Sequence, residues 1–459
     1  MLISRLLSKG HELWMLERRD SFAVHNHDMG RKSNFLVLAL LVPAIWFLGT
    51  SYDAATDASA LGELNAGDTA WMVVASAFVL LMTPGLAFFY GGMVDKRHII
   101  STMLQSFVAL GVISVLWVLV GFSLCFGESL GGVIGDPRTF LAFRGVGLSP
   151  NADFAGTIPF LLFALFQLKF AIITPALITG SMAGRVRFRA YILFMVLFAL
   201  VVYPPLCHMT WHPEGLLRQW GVLDFAGGTV VHMSAGCAAL AGALFLGRRM
   251  DNDLTPANIP FVILGTGLLW FGWFGFNAGS AFSAGTDAVL AFANTNLASA
   301  TAMITWIFFD RFRDRKMSAV GACIGAVVGL VAITPAAGFV SLGDSVLIGF
   351  VAALVSNLAI DLFHKSGRVD DTLDVFASHG VGGMVGMVLT GVFAAEVGLT
   401  SGEFDTFGKH LAALAAVAVG AFGLSYALFA LVNALIPMRV TSKQEARGLD
   451  DSQHGEQLT

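Results

Sequence analysis

Long apolar runs alternate with short polar connections along most of this chain, from residue 71 to residue 437. A helix needs about 20 predominantly apolar residues to cross the hydrocarbon core of a bilayer. The pattern therefore predicts an all-α polytopic membrane protein with eleven transmembrane helices. Their predicted bounds are 71–93, 101–126, 157–184, 190–211, 225–247, 258–278, 285–309, 317–339, 344–363, 373–397 and 408–437.

Composition agrees with this pattern, because 56% of the residues are hydrophobic and only 13% are charged. A soluble domain carries about 25% charged residues. The four cysteines, Cys125, Cys207, Cys237 and Cys323, stand singly without CxxC spacing, so they indicate neither a zinc site nor a disulfide framework. No nucleophile–base pair is evident. We therefore expect no enzyme activity, catalytic residue, metal, cofactor or nucleic-acid partner.

The first 50 residues are expected to be an N-terminal extension that carries a signal peptide. Arg31 and Lys32 precede the apolar stretch 35–48, and small polar residues follow it. A basic start followed by an apolar core of about fourteen residues is typical of a secretory signal peptide. We further hypothesise that translation begins at Met29.

Lysine and arginine residues cluster in alternate connections between the predicted helices, which predicts the orientation of the chain. One set of connections and the tail contain Lys96, Arg97, Arg185, Arg187, Arg189, Arg248, Arg249, Arg311, Arg313, Arg315, Lys316, Lys365, Arg368, Arg439, Lys443 and Arg447. The other set contains only Arg138, Arg144, Arg218 and Lys409. The tail, residues 438–459, is thus expected in the cytoplasm and the mature N-terminus outside, with the protein in the plasma membrane (the bacterial inner membrane).

An Asp, seven residues and a His occur twice within apolar sequence, at Asp224 to His232 and at Asp371 to His379. Eight residues of helix rise about 12 Å. If the two segments enter a hydrocarbon layer of about 30 Å from opposite faces, both imidazoles reach its midplane. Ionisable groups at that depth are costly and usually mark the path of a polar solute. The alternative is two unrelated core histidines.

A second motif precedes each of these pairs, since Thr174 and Pro175 match Thr334 and Pro335. Helices 1–5 and 6–10 therefore look like two copies of one unit, with helix 11 outside the repeat. Because five is odd, the second copy is inverted in the membrane. Inverted repeats place the solute site between the halves, near mid-membrane.

Other polar residues allow two interpretations each. Asp224 and Asp371 can cap their helices through backbone N–H groups, and Asp224 can also add negative potential near the outer mouth. Trp211 can belong to an aromatic belt or offer a cation–π platform, to which Ser280 would add a hydroxyl acceptor. His208 and His212 have helical i, i+4 spacing but no third ligand, so we expect them to be surface residues.

The motifs Met82 to Gly92, Phe170 to Ala176, Asp224 to His232, Trp273 to Ser280 and Asp374 to Gly380 resemble the ammonium transporter (Amt/Mep/Rh) family, in its bacterial Amt branch. The resemblance runs from about residue 70 into the tail. It implies a membrane domain at 70–437 and a homotrimer with one pore per subunit. It also implies pore histidines at His232 and His379, a gate at Phe170 and Phe276, and ammonium recruitment by Trp211, Ser280, Phe170 and Asp224.

The family resemblance also implies a function and a partner. Ammonium, or methylammonium as its analogue, would be recruited at an outer vestibule, and ammonia would pass an apolar pore with or without a separately carried proton. A nitrogen regulatory protein of the GlnK type could bind the cytoplasmic face. The alternatives are a neutral gas channel of the Rh kind and an ammonium sensor that acts through a cytoplasmic partner.

Overall fold

The computed structural model describes Trp46 and residues 64–251 and 255–458. The N-terminal extension and signal peptide expected at residues 1–50 lie outside these residues except for Trp46, and they stay a prediction. Within the described part, ten helices are long and apolar enough to cross a membrane, and one apolar helix is shorter. All eleven helices expected from the apolar runs are therefore present, and the all-α polytopic fold is confirmed.

The helices follow one another in the predicted order, and we number them α1 to α11. Their bounds are Ala66–Met93, Ile99–Phe126, Phe160–Met182, Phe188–Trp220, Gly228–Leu246, Ile259–Ala281, Thr286–Phe312, Ala319–Ile333, Leu342–Ser366, Phe376–Phe393 and Phe404–Leu435. Between α2 and α3 lie two small antiparallel pairs: β1 (Ser129–Leu130) with β2 (Ile134–Gly135), and β3 (Pro150–Asn151) with β4 (Ala155–Pro159).

Two helices differ from the regular spans that the sequence predicted. In α4, a first segment ends at Val201 and a second runs over Tyr203–Trp211, because Pro204 and Pro205 supply no backbone N–H to continue the ladder. The helix α8 ends at Ile333 instead of reaching residue 339. There the chain turns, and the Pro335 carbonyl accepts a hydrogen bond from Phe225 N at 3.1 Å.

The two proposed repeat units share local structure as well as sequence. Thr174 Oγ1 donates to the carbonyl of Phe170 (2.7 Å), and Thr334 Oγ1 donates to that of Leu330 (2.8 Å). Both histidine segments begin as π-helical turns, at Gly228–Met233 and Phe376–Val381. Since successive spans alternate in direction, the α4–α5 and α9–α10 connections lie at opposite ends of the bundle, as an inverted repeat requires.

Glycine allows α5 and α10 to cross with their backbones almost touching. A Cβ atom added at Gly236 would lie 2.2 Å from the backbone N of Gly380, and one at Gly383 would lie 3.2 Å from the carbonyl of Gly228. Small residues at helix crossings permit this approach in membrane proteins. The crossing brings together the two segments that carry His232 and His379.

The tail packs against one end of the bundle. It contains α12 (Ser442–Arg447) and a π-helical turn at Asp450–His454. The Asp450 carboxylate accepts from the N–H groups of Ile100 (3.0 Å) and Ser101 (2.7 Å), at the start of α2. Leu449 N donates to His98 Nδ1 at 3.1 Å, and burial lowers the pKa of His98 to about 4. The tail is thus held by buried hydrogen bonds to the membrane domain.

Candidate functional site

His232 and His379 lie side by side in the interior, as the Asp/His repeat predicts. Their Nδ1 atoms are 3.3 Å apart, and their ring centroids are 5.4 Å apart with 25° between the planes. His232 is 1% exposed and His379 is 2% exposed. A neutral imidazole donates from one nitrogen and accepts at the other, so this pair can share one N–H in either direction.

A narrow chamber of about 10 Å³ opens beside the two imidazoles, and we call it the histidine chamber. That volume is roughly one water-sized probe. Apart from the two histidines its walls are apolar, being formed by Met82, Leu86, Phe89, Ile173, Leu177, Val231, Leu269, Trp273, Phe276 and Val327. Any polar solute in this chamber therefore finds hydrogen-bonding partners mainly at the imidazole nitrogens.

Trp273 fixes one side of the histidine chamber. Its ring stacks on His232 with centroids 5.2 Å apart, and its Nε1 donates to Thr334 Oγ1 at 2.9 Å. Thr334 belongs to the repeated Thr–Pro motif, so that motif supports the wall next to His232. The sequence showed the repeat but gave no sign of this contact, because the two residues are far apart along the chain.

Phe170 and Phe276 stack next to the histidine chamber, with centroids 4.2 Å apart and 34° between the rings. Both are buried, and Phe276 lies 5.8 Å from the His232 ring. Phe276 lines the histidine chamber, whereas Phe170 lines a larger cavity on the other side. The pair therefore separates the two spaces at the position where the family resemblance implies a gate.

The larger cavity has a volume of about 360 Å³, and we call it the Trp211 cavity. Trp211 and Phe170 meet edge to face in its wall, with centroids 5.6 Å apart. Trp211 Nε1 donates to the Asp224 carbonyl at 3.1 Å, which fixes the indole ring. Ser280 Oγ donates to the Phe276 carbonyl at 2.8 Å, so its lone pairs stay able to accept.

The Asp224 carboxylate is fully engaged by the start of α5. Oδ1 accepts from Gly227 N (2.8 Å) and Gly228 N (2.6 Å), while Oδ2 accepts from Thr229 N (2.8 Å) and Thr229 Oγ1 (2.5 Å). This is the capping role expected from the sequence. Asp224 also lines the Trp211 cavity. Its negative charge therefore acts on the cavity, although both carboxylate oxygens already accept hydrogen bonds.

Asp371 occupies the equivalent position at the opposite end, beside a cavity of about 170 Å³. One oxygen accepts from Phe376 N at 2.7 Å. Burial, with Asp374 nearby, raises the pKa of Asp371 to about 7. Its neighbour Asp370 is paired with Arg249 at 2.8 Å, and the buried Arg185 donates to Thr372 Oγ1 at 2.7 Å. This end is therefore richer in charge than the Trp211 cavity.

The prediction that His208 and His212 are surface residues was wrong. They are 0% and 6% exposed, and their rings stack with centroids 4.2 Å apart. His208 Nε2 lies 2.8 Å from Ser129 Oγ in β1, and Nδ1 lies 2.8 Å from the Cys125 carbonyl. The connection between α2 and α3 covers these rings, which the apolar pattern alone could not reveal.

The surroundings of the cysteines and of Lys169 are also defined. All four cysteines are free and buried, as expected for small core residues. Lys169, in α3, is half-buried, and the described residues offer it no hydrogen bond or ion pair. Its neighbour Gln167 faces the Trp211 cavity, a contact that the sequence did not single out.

Comparisons with known proteins agree with the arrangement of helices. Residues 70–459 match the model of the Ammonium Transporter Family. The ammonium transporter of Aquifex aeolicus is 46% identical over 402 residues, which cover 86% of this chain and 93% of that protein. The crystal structure of Saccharomyces cerevisiae Mep2 matches with a TM-score of 0.78 at 36% identity, covering 83% of this chain and 89% of that one.

A solved structure described as a sensor Amt protein also matches, with a TM-score of 0.79 at 29% identity, covering 84% of this chain and 98% of that one. The named relatives are transporters and not enzymes. The long apolar helices of this chain are those of a membrane protein. Because the family model matches residues 70–459, this chain belongs to the ammonium transporter family.

Proposed function

We propose that this protein recruits ammonium in the Trp211 cavity and conducts ammonia past Phe170 and Phe276 along His232 and His379. The proton is either released outside or carried separately. The observation that carries the proposal is the pair of buried imidazoles 3.3 Å apart beside an apolar chamber. A pair of imidazoles inside an apolar channel suits a small solute that can both donate and accept hydrogen bonds.

Recruitment rests on the groups in the wall of the Trp211 cavity. The faces of Trp211 and Phe170 attract a cation through their π electrons. Ser280 Oγ can accept an N–H bond, because its own proton is already donated to Phe276. Asp224, held by four hydrogen bonds, contributes negative potential from behind the indole. Ammonium is thereby favoured over a neutral molecule at this end.

Passage beyond the phenylalanine pair favours the neutral form. The histidine chamber is too small for a hydrated ion, and its apolar walls penalise a bare charge. Ammonia loses far less solvation free energy than ammonium when it leaves water. Deprotonation before or at the chamber therefore lowers the barrier, and the imidazole pair gives the solute and its proton hydrogen-bonding partners.

We expect Trp211→Leu to weaken ammonium recruitment more than maximal transport. Loss of the indole removes a cation–π contact of about 1–2 kcal/mol, which corresponds to a rise of about five- to thirtyfold in half-saturation. Uptake of labelled methylammonium by a transport-deficient strain measures both quantities. Trp220→Leu is the matched control, because Trp220 is exposed at the end of α4 and does not line the cavity. Equal half-saturation in Trp211→Leu and wild type would remove Trp211 from the recruitment site.

The proposed assembly follows the family resemblance and the charge pattern. We propose a homotrimer in the plasma membrane of a bacterium, with the mature N-terminus outside and the tail 438–459 in the cytoplasm. The arginine-rich connections that support this orientation lie at the same end as the docked tail, where Arg97 donates to Ala446 and Arg187 to Pro437. A GlnK-type regulator would reach the membrane domain at that end.

A sensing role is the second candidate, and the likeness to the sensor Amt structure favours it. Purified protein in liposomes separates the possibilities. An ammonium-evoked current supports a transporter, whereas ammonia flux without current at every pH supports a neutral channel of the Rh kind. Specific ammonium binding with neither flux nor current would instead support a sensor and overturn the proposed transport.

A further inference from the structure

Two buried side-chain oxygens in the wall of the Trp211 cavity have no hydrogen-bond partner among the described residues. They are Oε1 of Gln167 in α3 and Oγ1 of Thr210 in α4. Both residues are 5% exposed. A buried polar atom without a partner costs about 1–3 kcal/mol. Two such atoms on residues that line one cavity therefore indicate a place where a hydrogen-bond donor is expected.

These oxygens lie next to the groups already assigned to recruitment. Gln167 comes one helical turn before Phe170, and Thr210 directly precedes Trp211. The Asp224 carboxylate is saturated by α5, and the Arg218 guanidinium donates to the Trp211 carbonyl at 2.7 Å. Asp153 also lines the cavity but is exposed. Among the buried side chains of this wall, the acceptors without a partner are Gln167 Oε1 and Thr210 Oγ1.

We propose that Gln167 and Thr210 form an oxygen subsite that accepts N–H groups of a small ammonium-type cation on its way to Phe170. This inference rests on the proposed recruitment of ammonium in the Trp211 cavity. It adds the residues that distinguish cations by the number of their N–H donors. A π face attracts any cation of similar size. Directional oxygen acceptors distinguish a cation with N–H groups from one without them.

The subsite has a consequence for substrate preference. Ammonium presents four N–H donors, whereas methylammonium presents three and a methyl group. With Ser280, Gln167 and Thr210 all accepting, methylammonium can pair all three oxygens only in an orientation that turns its methyl group away from them, whereas ammonium can do so in any of its equivalent orientations. Removal of an oxygen should therefore harm ammonium more than methylammonium, and the preference between the two should fall.

The test uses Gln167→Met and Thr210→Val, which keep side-chain size but remove the acceptor. Half-saturation for ammonium is measured by liposome currents with the full-length protein, and methylammonium is measured beside it. We expect half-saturation for ammonium to rise about ten- to hundredfold in each variant, as for the loss of one hydrogen bond to a charged group. The rise for methylammonium should be smaller, and maximal current should change less than twofold.

Controls separate this subsite from packing effects. Thr102→Val removes another buried hydroxyl without a partner among the described residues, but it lies in α2 away from the Trp211 cavity. It should leave both half-saturation values unchanged. Gln167→Glu keeps an acceptor and adds a negative charge, so half-saturation for ammonium should not rise above that of wild type, which tests the position even if Gln167→Met does not assemble.

Several outcomes would overturn the subsite. Unchanged half-saturation in both Gln167→Met and Thr210→Val would do so, as would equal rises for ammonium and methylammonium, which would mean that these oxygens do not distinguish the two cations. If Trp211→Leu still weakens recruitment in the same assay, the proposed function stands although the subsite fails. If no variant or wild-type protein gives ammonium-dependent flux, the proposed function itself fails.

Discussion

Replacing either buried imidazole, as His232→Ala or His379→Ala, is expected to abolish selective uptake or to alter the selectivity of transport. The alanine leaves a larger and wholly apolar chamber, in which a polar solute loses its main hydrogen-bonding partner. Loss of such a partner costs about 1–3 kcal/mol, so the rate of ammonium-specific uptake should fall about 5- to 150-fold. Labelled methylammonium uptake, with potassium as competitor, measures rate and selectivity together.

The matched control for these variants is His410→Ala. His410 is also a buried histidine, but its ring accepts from Leu223 N at 3.0 Å and contacts the Met387 carbonyl at 2.9 Å, outside the histidine chamber. Its loss should lower thermal stability and leave selectivity unchanged. If His232→Ala and His379→Ala both transported methylammonium with wild-type rate and selectivity, the imidazole pair could not line the conduction path.

The helices and the histidine pair could be predicted from the sequence because both depend on local patterns. Apolar length alone decides whether a segment can span a bilayer, and the bounds of α1 to α11 follow from it within several residues. The spacing of Asp224 to His232 and of Asp371 to His379 is a local pattern too. Once the repeat is read as inverted, symmetry brings the two rings together.

What the sequence could not predict depends on contacts between distant segments. The burial of His208 follows from the connection between α2 and α3, which folds over it with Ser129. The support of Trp273 by Thr334 and the close crossing of Gly236 with Gly380 are also long-range. The unpartnered oxygens of Gln167 and Thr210 can be recognised only in the folded cavity, because the sequence does not show whether a polar side chain finds a hydrogen-bond partner in a distant segment.

The glycine crossing and the aspartate caps serve one purpose, which is to bring irregular backbone into the membrane without exposed polar groups. Backbone N–H groups at membrane depth must find partners within the protein. The Asp224 carboxylate accepts hydrogen bonds from N–H groups before and within the π-helical turn at Gly228–Met233. The turn places His232 at the crossing of α5 and α10. The position of the imidazole is therefore set by the carboxylate several residues before it.

Asp224→Ala is accordingly expected to be the most destabilising single change at this site. It would leave Gly227 N, Gly228 N, Thr229 N and Thr229 Oγ1 without their acceptor in a buried position. Each unsatisfied buried group costs about 1–3 kcal/mol, so we expect a loss of about 3 kcal/mol or more. The thermal unfolding temperature of the purified protein and its assembly on size exclusion measure this.

Two companion variants separate the structural role of Asp224 from its charge. Asp371→Ala removes the repeat-related carboxylate, which accepts a hydrogen bond from Phe376 N, and should therefore destabilise less. Asp224→Asn keeps one acceptor oxygen but no charge, so part of the stability should return while half-saturation for ammonium stays raised. If Asp224→Ala unfolded at the wild-type temperature, the four hydrogen bonds would not be what holds the start of α5. If Asp224→Asn also bound ammonium like wild type, the negative potential would play no part in recruitment.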